Sequence, residues 1–209
     1  MKTTTNVRTM KMVQLALFIA IIFLMAFTPL GYIRTPGLQI TLLAIPVAVG
    51  AIILGPASGA ILGGAFGITS FIQCFGMDPL GAAFLGINPV GTFLLCMVPR
   101  ILMGGLTGLI FKGLRKIDKT RGLSYAAASL SASLMNTVFF LGSMLLFLYL
   151  TNSYNFIADK FDIQAGSIIA FIVSLAGINT ILEAAVCLIL GTAIAKALDV
   201  FRKKSGNVA

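Results

Sequence analysis

Residues 124–151 read SYAAASLSASLMNTVFFLGSMLLFLYLT, a run with no charged side chain, no proline and one glycine. A bilayer's hydrocarbon core, about 30 Å thick, is crossed by about 20 apolar residues wound as a helix, because each backbone amide must find its partner inside its own segment. The run satisfies both demands and sets the class: this is a helical membrane protein. The rest of the chain agrees. With 58% hydrophobic and 10% charged residues over 209 positions, and a mean hydropathy of +1.04, it departs far from the roughly one-quarter charged content of a soluble domain.

Working outward, apolar segments of spanning length recur at 12–32, 39–55, 57–76, 90–111 and 166–195. Together they predict an all-α integral membrane fold, a bundle of six transmembrane helices in one membrane domain over residues 1–209. The second and third segments are separated only by LGPASG (54–59), where Gly-Pro reads as a tight turn. FGMDPLGAAFLGINP (75–89) is too broken by Pro and Gly for a regular span and too apolar for a wet loop, so it is expected to fold back over the helix ends. The basic start and apolar run at 13–27 mimic a signal peptide, but no small-residue cleavage site precedes Thr28-Pro29 and the topology needs a retained helix.

Charge supplies orientation. Lys2, Arg8 and Lys11 precede the first span; Lys112, Arg115, Lys116, Lys119 and Arg121 follow the fourth; Lys196, Arg202, Lys203 and Lys204 close the chain. The other connections carry only Arg34, Asp78, Asp159, Lys160 and Asp162. Six spans with both termini cytoplasmic put every basic cluster inside, as the positive-inside rule asks. The net charge of +9 then reflects orientation and anionic headgroups rather than nucleic acid.

The missing chemistry narrows the function. There is no histidine, which removes the usual general base, the commonest metal ligand and every Ser-His or Cys-His pair. No G-x-x-x-x-G-K-[S/T] stretch can cradle a nucleotide phosphate, so any ATP hydrolysis belongs to another chain. Cys74, Cys96 and Cys187 lack metal spacing and read as small buried hydrophobes. No metal or cofactor is expected.

Two ionisable groups lie deep in the spans, Arg100 and Glu183. A charge at bilayer depth costs a few kcal/mol and is tolerated when it faces the bundle interior, a partner or a ligand. Counting from Lys112 and Lys196 at about 1.5 Å per residue puts both roughly 18–20 Å above the inner basic residues, and counting from Arg121 puts Asn136 at about the same level. Asn179 sits four residues before Glu183, on the same helical face. One reading is an Arg100–Glu183 ion pair holding two helices, with Asn136 and Asn179 as interhelical hydrogen-bond glue. The other is a polar pocket between the last three helices, with Arg100 or the amides holding a small solute; the two are compatible.

The first three spans are rich in small residues: Gly50, Ala51, Gly55, Gly59, Gly63 and Gly67 among them. Small residues four apart let another backbone approach closely. For Gly59, Gly63 and Gly67 the expected neighbour is a helix of this chain; for Ala16 and Ala20, in VQLALFIAIIF (13–23), a partner protein is a serious alternative.

In order and spacing, FTPLGYIRTPG (27–37), IPVAVGAIILGPASGAILGGAFGITS (45–70), VPRILMGGLTGLIFKGL (98–114), MNTVFFLG (135–142) and INTILEAAVCLILG (178–191) are similar to successive blocks of one family. With the Ala-x-x-x-Ala pair of the first helix, the chain resembles the S components of energy-coupling factor (ECF) vitamin transporters over most of its length. The resemblance implies a protein that captures a vitamin on the outer side and docks, through Ala16 and Ala20, onto a transmembrane coupling subunit carrying two ATPase subunits. It places the solute between the later helices under loops, so Arg100, Asn136, Asn179, Glu183 and Asn88 are the expected contacts, Asn88 standing at the end of a lid over residues 76–88, with a first lid over 31–37. Within the family the sequence looks closest to the pantothenate-type group, whose solute offers a carboxylate to Arg100 and hydroxyls and an amide to Asn136 and Asn179; riboflavin is the next choice. A stand-alone secondary transporter would show repeats and an ion site, and a membrane enzyme would have only Glu183 as a base.

Overall fold

The computed structural model describes residues 4–35, 38–118, 122–153, 155–157 and 180–204. Helix α1 (Thr4–Ala26) leads into a short hairpin, β1 (Tyr32–Thr35) and β2 (Leu38–Thr41), followed by α2 (Ala44–Leu54), α3 (Pro56–Gln73), α4 (Pro79–Ile87), α5 (Pro89–Leu114) and α6 (Leu123–Thr151). The last helix, α7, has its apolar stretch at Thr180–Phe201, with a π-helical turn at Cys187–Gly191 and a final segment Thr192–Lys204. The stretches Arg8–Ala26, Pro89–Leu114, Leu123–Thr151 and Thr180–Phe201 are each long and apolar enough to cross a membrane.

Among the described residues the architecture is helical apart from the hairpin, which departs from the purely α expectation and whose second strand takes up the start of the segment read as a second span. Tyr32-Ile33-Arg34-Thr35 and Leu38-Gln39-Ile40-Thr41 pair antiparallel, Tyr32 opposite Thr41. Their β-branched residues on either side of Pro36-Gly37 are strand and turn chemistry, which average hydropathy hides. What remains of that segment is α2, whose 11 residues extend about 16 Å, roughly half the hydrocarbon thickness. Such a short helix is viable because it is enclosed: Ala44 through Ile52 are all buried by the surrounding helices.

Breaks fall where the local chemistry puts them. The turn between α2 and α3 is a single residue, Gly55, at φ 98°, with Pro56 opening α3. That φ belongs to glycine, and proline at a first helical position loses no helical hydrogen bond. Within residues 75–89, α4 forms a helix of 9 residues, its N-terminus capped by Asp78 Oδ2 accepting from the Gly81 N–H at 3.0 Å. Asn88 does the same for α5, its Oδ1 accepting from the Gly91 N–H at 3.0 Å.

Two clusters form the interior. The larger gathers Ile22, Leu43, Val47, Phe66, Met103 and Ala128, from α1, the α2 region, α3, α5 and α6. The smaller packs Phe84 of α4 against Leu95 of α5 and Phe147 and Leu148 of α6, which fastens α4 over one end of the α5–α6 pair. On α3, Gly59, Gly63 and Gly67 face the backbone of α5 at Gly104, Arg100 and Cys96 in turn, so a Cβ at any of them would strike that backbone or Met97. The glycine stripe is thus spent within this chain, as expected, and it presses α3 onto the turn of α5 that bears Arg100.

Candidate functional site

Arg100 is held in place by its predecessor. Pro99 has no N–H to give to the carbonyl of Leu95 one turn back, which leaves that oxygen without its helical partner. The Arg100 guanidinium takes it up, donating from Nη1 to Leu95 O at 3.1 Å. The side chain is buried, and its guanidinium carbon lies 4.4 Å from the ring centre of Phe140 on α6 and 5.4 Å from that of Phe66 on α3. Two ring faces therefore steady the cation by their quadrupoles. Nε has no hydrogen-bond partner among the described residues.

Asn136 lies one turn below Phe140 on the same face of α6, and it is buried with Oδ1 unpartnered among the described residues. A buried polar atom left unpaired costs on the order of 1–3 kcal/mol, more for a charged group. The cluster thus offers an unused donor on a cation and an unused carbonyl acceptor, drawn from α5 and α6. A small molecule carrying an anionic group and a hydroxyl or amide donor would satisfy both.

Glu183 is also buried, but the expected Arg100–Glu183 ion pair is not made. Its Oε1 instead accepts from the backbone N–H of Thr41, at 2.6 Å. The hairpin explains the difference: it inserts a strand N–H that side-chain bookkeeping along the helices could not foresee. Arg100 and Glu183 remain within electrostatic reach of each other. Asn179 lies outside the described residues. Asn88 is exposed, twelve residues before Arg100 on α5, hence about 18 Å along the axis, and serves as the helix cap. The structure thus brings Arg100, Asn136 and Glu183 to one region and leaves Asn88 apart from them.

Several groups escaped the sequence reading. Tyr32 of β1 is set beside Ser70 and Gln73 of α3 and within reach of Arg100; burial pushes its phenol above the usual tyrosine range, so it stays a neutral donor. Gln73 Nε2 donates to Ala26 O at 2.8 Å, tying α3 to the end of α1. Cys74 and Cys96 are buried free thiols, as the sequence predicts; only the approach of their sulfurs to 3.9 Å was not foreseen. Among the described residues, no group of three or more Cys, Asp or Glu side chains is placed to hold a metal. The one sequence signal that was available is Pro99-Arg100, since a proline inside a helix announces a carbonyl in need of a donor. Ala16 and Ala20 are exposed on α1, with Val13, Leu17 and Leu24 exposed beside them.

Residues 10–195 match the family described as "ECF transporter, substrate-specific component". The chain is 30% identical over 212 residues to the "Pantothenate transporter PanT" of Leuconostoc mesenteroides, covering 97% of this chain and 98% of that protein. It is 32% identical over 174 residues to the "Pantothenic acid transporter PanT" of Lactococcus lactis subsp. cremoris, covering 79% of this chain and 80% of that protein.

Proposed function

Because the chain belongs to the family of substrate-specific components of ECF transporters, we propose that it captures pantothenate at the outer face of the cell membrane for ATP-driven import. The observation that carries the choice of solute is the pair of unused polar atoms, Arg100 Nε and Asn136 Oδ1. Pantothenate's carboxylate suits the guanidinium, and its hydroxyl and amide donors suit the Asn136 carbonyl. Asn179, four residues before Glu183 in the sequence, is proposed as a further solute contact, while Glu183 and Asn88 support the site, the first through the hairpin and the second by starting α5. The bundle crosses the membrane six times with both termini in the cytoplasm. The exposed Ala16 and Ala20 strip seats against the transmembrane coupling subunit, and two ATPase subunits on that partner supply the hydrolysis.

Isothermal titration of the purified protein in detergent tests the solute. Pantothenate is expected to bind at sub-micromolar level, and riboflavin to show no heat at the same concentrations. A protein that binds riboflavin in preference, or neither vitamin, would refute this assignment.

A further inference from the structure

A two-stranded ribbon has nothing but edges. Leu42 N donates to Gly31 O at 3.0 Å, the register of a narrow pair at the ribbon's base, while the Gly31 N–H turns back to Thr28 O at 3.2 Å. Narrow and wide pairs alternate along an antiparallel ladder, which makes the next pair, Tyr32 and Thr41, a non-hydrogen-bonded one. The Thr41 N–H is therefore turned away from β1. In a protein surrounded by lipid such a donor cannot count on water, and an unpaired strand edge is a liability.

Glu183 supplies the missing acceptor. Its Oε1 takes the Thr41 N–H at 2.6 Å across 142 residues of chain, and the Thr41 hydroxyl also faces the carboxylate. Opposite Thr41, Tyr32 lies beside Ser70 and Gln73, and Gln73 is bound to the end of α1 through Ala26 O. The hairpin base is thus clamped from two sides, by α3 through Tyr32 and by α7 through Glu183, with Arg100 within electrostatic reach of both.

We infer that Glu183 is a positioning residue, a latch that holds the hairpin against α7 and so sets how long a solute bound at Arg100 and Asn136 stays, without touching that solute. The solute part of this inference rests on the proposed pantothenate site. The latch is a hydrogen bond from a main-chain N–H of the hairpin to a carboxyl oxygen of α7, and the hairpin must break it to swing away.

Three variants and two readouts test it. Hydrogen exchange at the Thr41 amide, followed by fragmentation mass spectrometry on solute-free protein, reports the latch itself; the dissociation rate of radiolabelled pantothenate reports its effect. Glu183→Leu removes the acceptor and is expected to speed Thr41 exchange and pantothenate release by roughly tenfold each, with association changed by less than about twofold. Glu183→Gln keeps an oxygen and should stay within about threefold of the parent in both. Should the leucine variant fail to fold, Glu183→Asp withdraws the carboxylate by one methylene and is expected to behave as leucine does. Unchanged Thr41 exchange in the leucine or aspartate variant overturns the latch whatever the solute is. Equal loss of affinity in the Gln and Leu variants, with exchange unaltered, assigns Glu183 to the solute and overturns it as well. If the parent protein binds no pantothenate while the leucine variant still exchanges faster, the latch is supported and the solute assignment fails.

Discussion

Arg100 shows how one backbone defect prepares a side chain for work. Proline at 99 costs a helical hydrogen bond, the Leu95 carbonyl is released, and the next residue's guanidinium fills the gap. This fixes one face of the fork and leaves Nε free of partners among the described residues. Lysine at this position would keep the charge but lose the planar fork and its stacking between Phe66 and Phe140. Arg100→Lys is therefore expected to weaken pantothenate binding by about ten- to a hundredfold in isothermal titration, with the thermal midpoint nearly unchanged. Wild-type affinity in that variant would mean the guanidinium does not hold the solute. Much of this site could be read before the fold was known, because a charge in an apolar run advertises itself and residue counting along helices fixes its depth. The partner of Glu183 could not be read, since it is a main-chain N–H presented by a hairpin. Every residue except proline carries such a donor, and only tertiary structure says which one arrives.

Among the elements, the contact between α3 and α5 governs the geometry of the site. Gly59, Gly63 and Gly67 repeat every four residues, and the backbone of α5 lies against them, joined at Gly67 by the Met97 side chain. A methyl at Gly63 would meet the Arg100 carbonyl, so the two helices would have to separate. Gly63→Ala is expected to cost about 1–3 kcal/mol, lowering the thermal midpoint by about 2–4 °C for each kcal/mol, and to reduce solute affinity through displacement of Arg100. Gly86 on α4 has open space where a Cβ would stand, so Gly86→Ala serves as the control, neutral or slightly stabilising in the same thermal scan. Equal midpoints for the two variants would contradict the close approach. The stripe was legible because its period is that of the helix. The hairpin and the short α2 were less so: a window of spanning length averages strand, turn and buried helix into one apolar segment. The caps Asp78 and Asn88, each followed by proline, were written plainly in Asp-Pro and Asn-Pro, and α4 could have been read from them.

At the scale of the whole molecule, the contacts give the bundle two chemically different ends. Phe111 packs at a tilt against Tyr125 with centroids 5.0 Å apart, and the Tyr125 hydroxyl donates to Asp199 at 2.7 Å, which gathers the end of α5, the start of α6 and the end of α7. Lys112, Arg115, Lys116 and Lys196 belong to that end. Gln73 bound to Ala26 puts the other end of α1 beside the end of α3, so Arg8 and Lys11 fall with the basic group, and α4, Tyr32 and Asn88 with the opposite one. A solute site set between the middle of the bundle and the non-basic end has its entry on the outer side if basic residues stay inside. The face of α1 around Ala16 and Ala20 is separate from that site and is exposed to the surroundings of the bundle. Lipid chains tolerate any apolar shape there, whereas a docked helix demands small residues. Ala16→Trp and Ala20→Trp together are thus expected to leave pantothenate affinity within about twofold while reducing ATP-dependent uptake at least about tenfold, in proteoliposomes that contain the coupling subunit and its two ATPases. Uptake at the parent rate would mean that this face meets only lipid, and a parallel fall in affinity would mean that α1 supports the solute site rather than the partner.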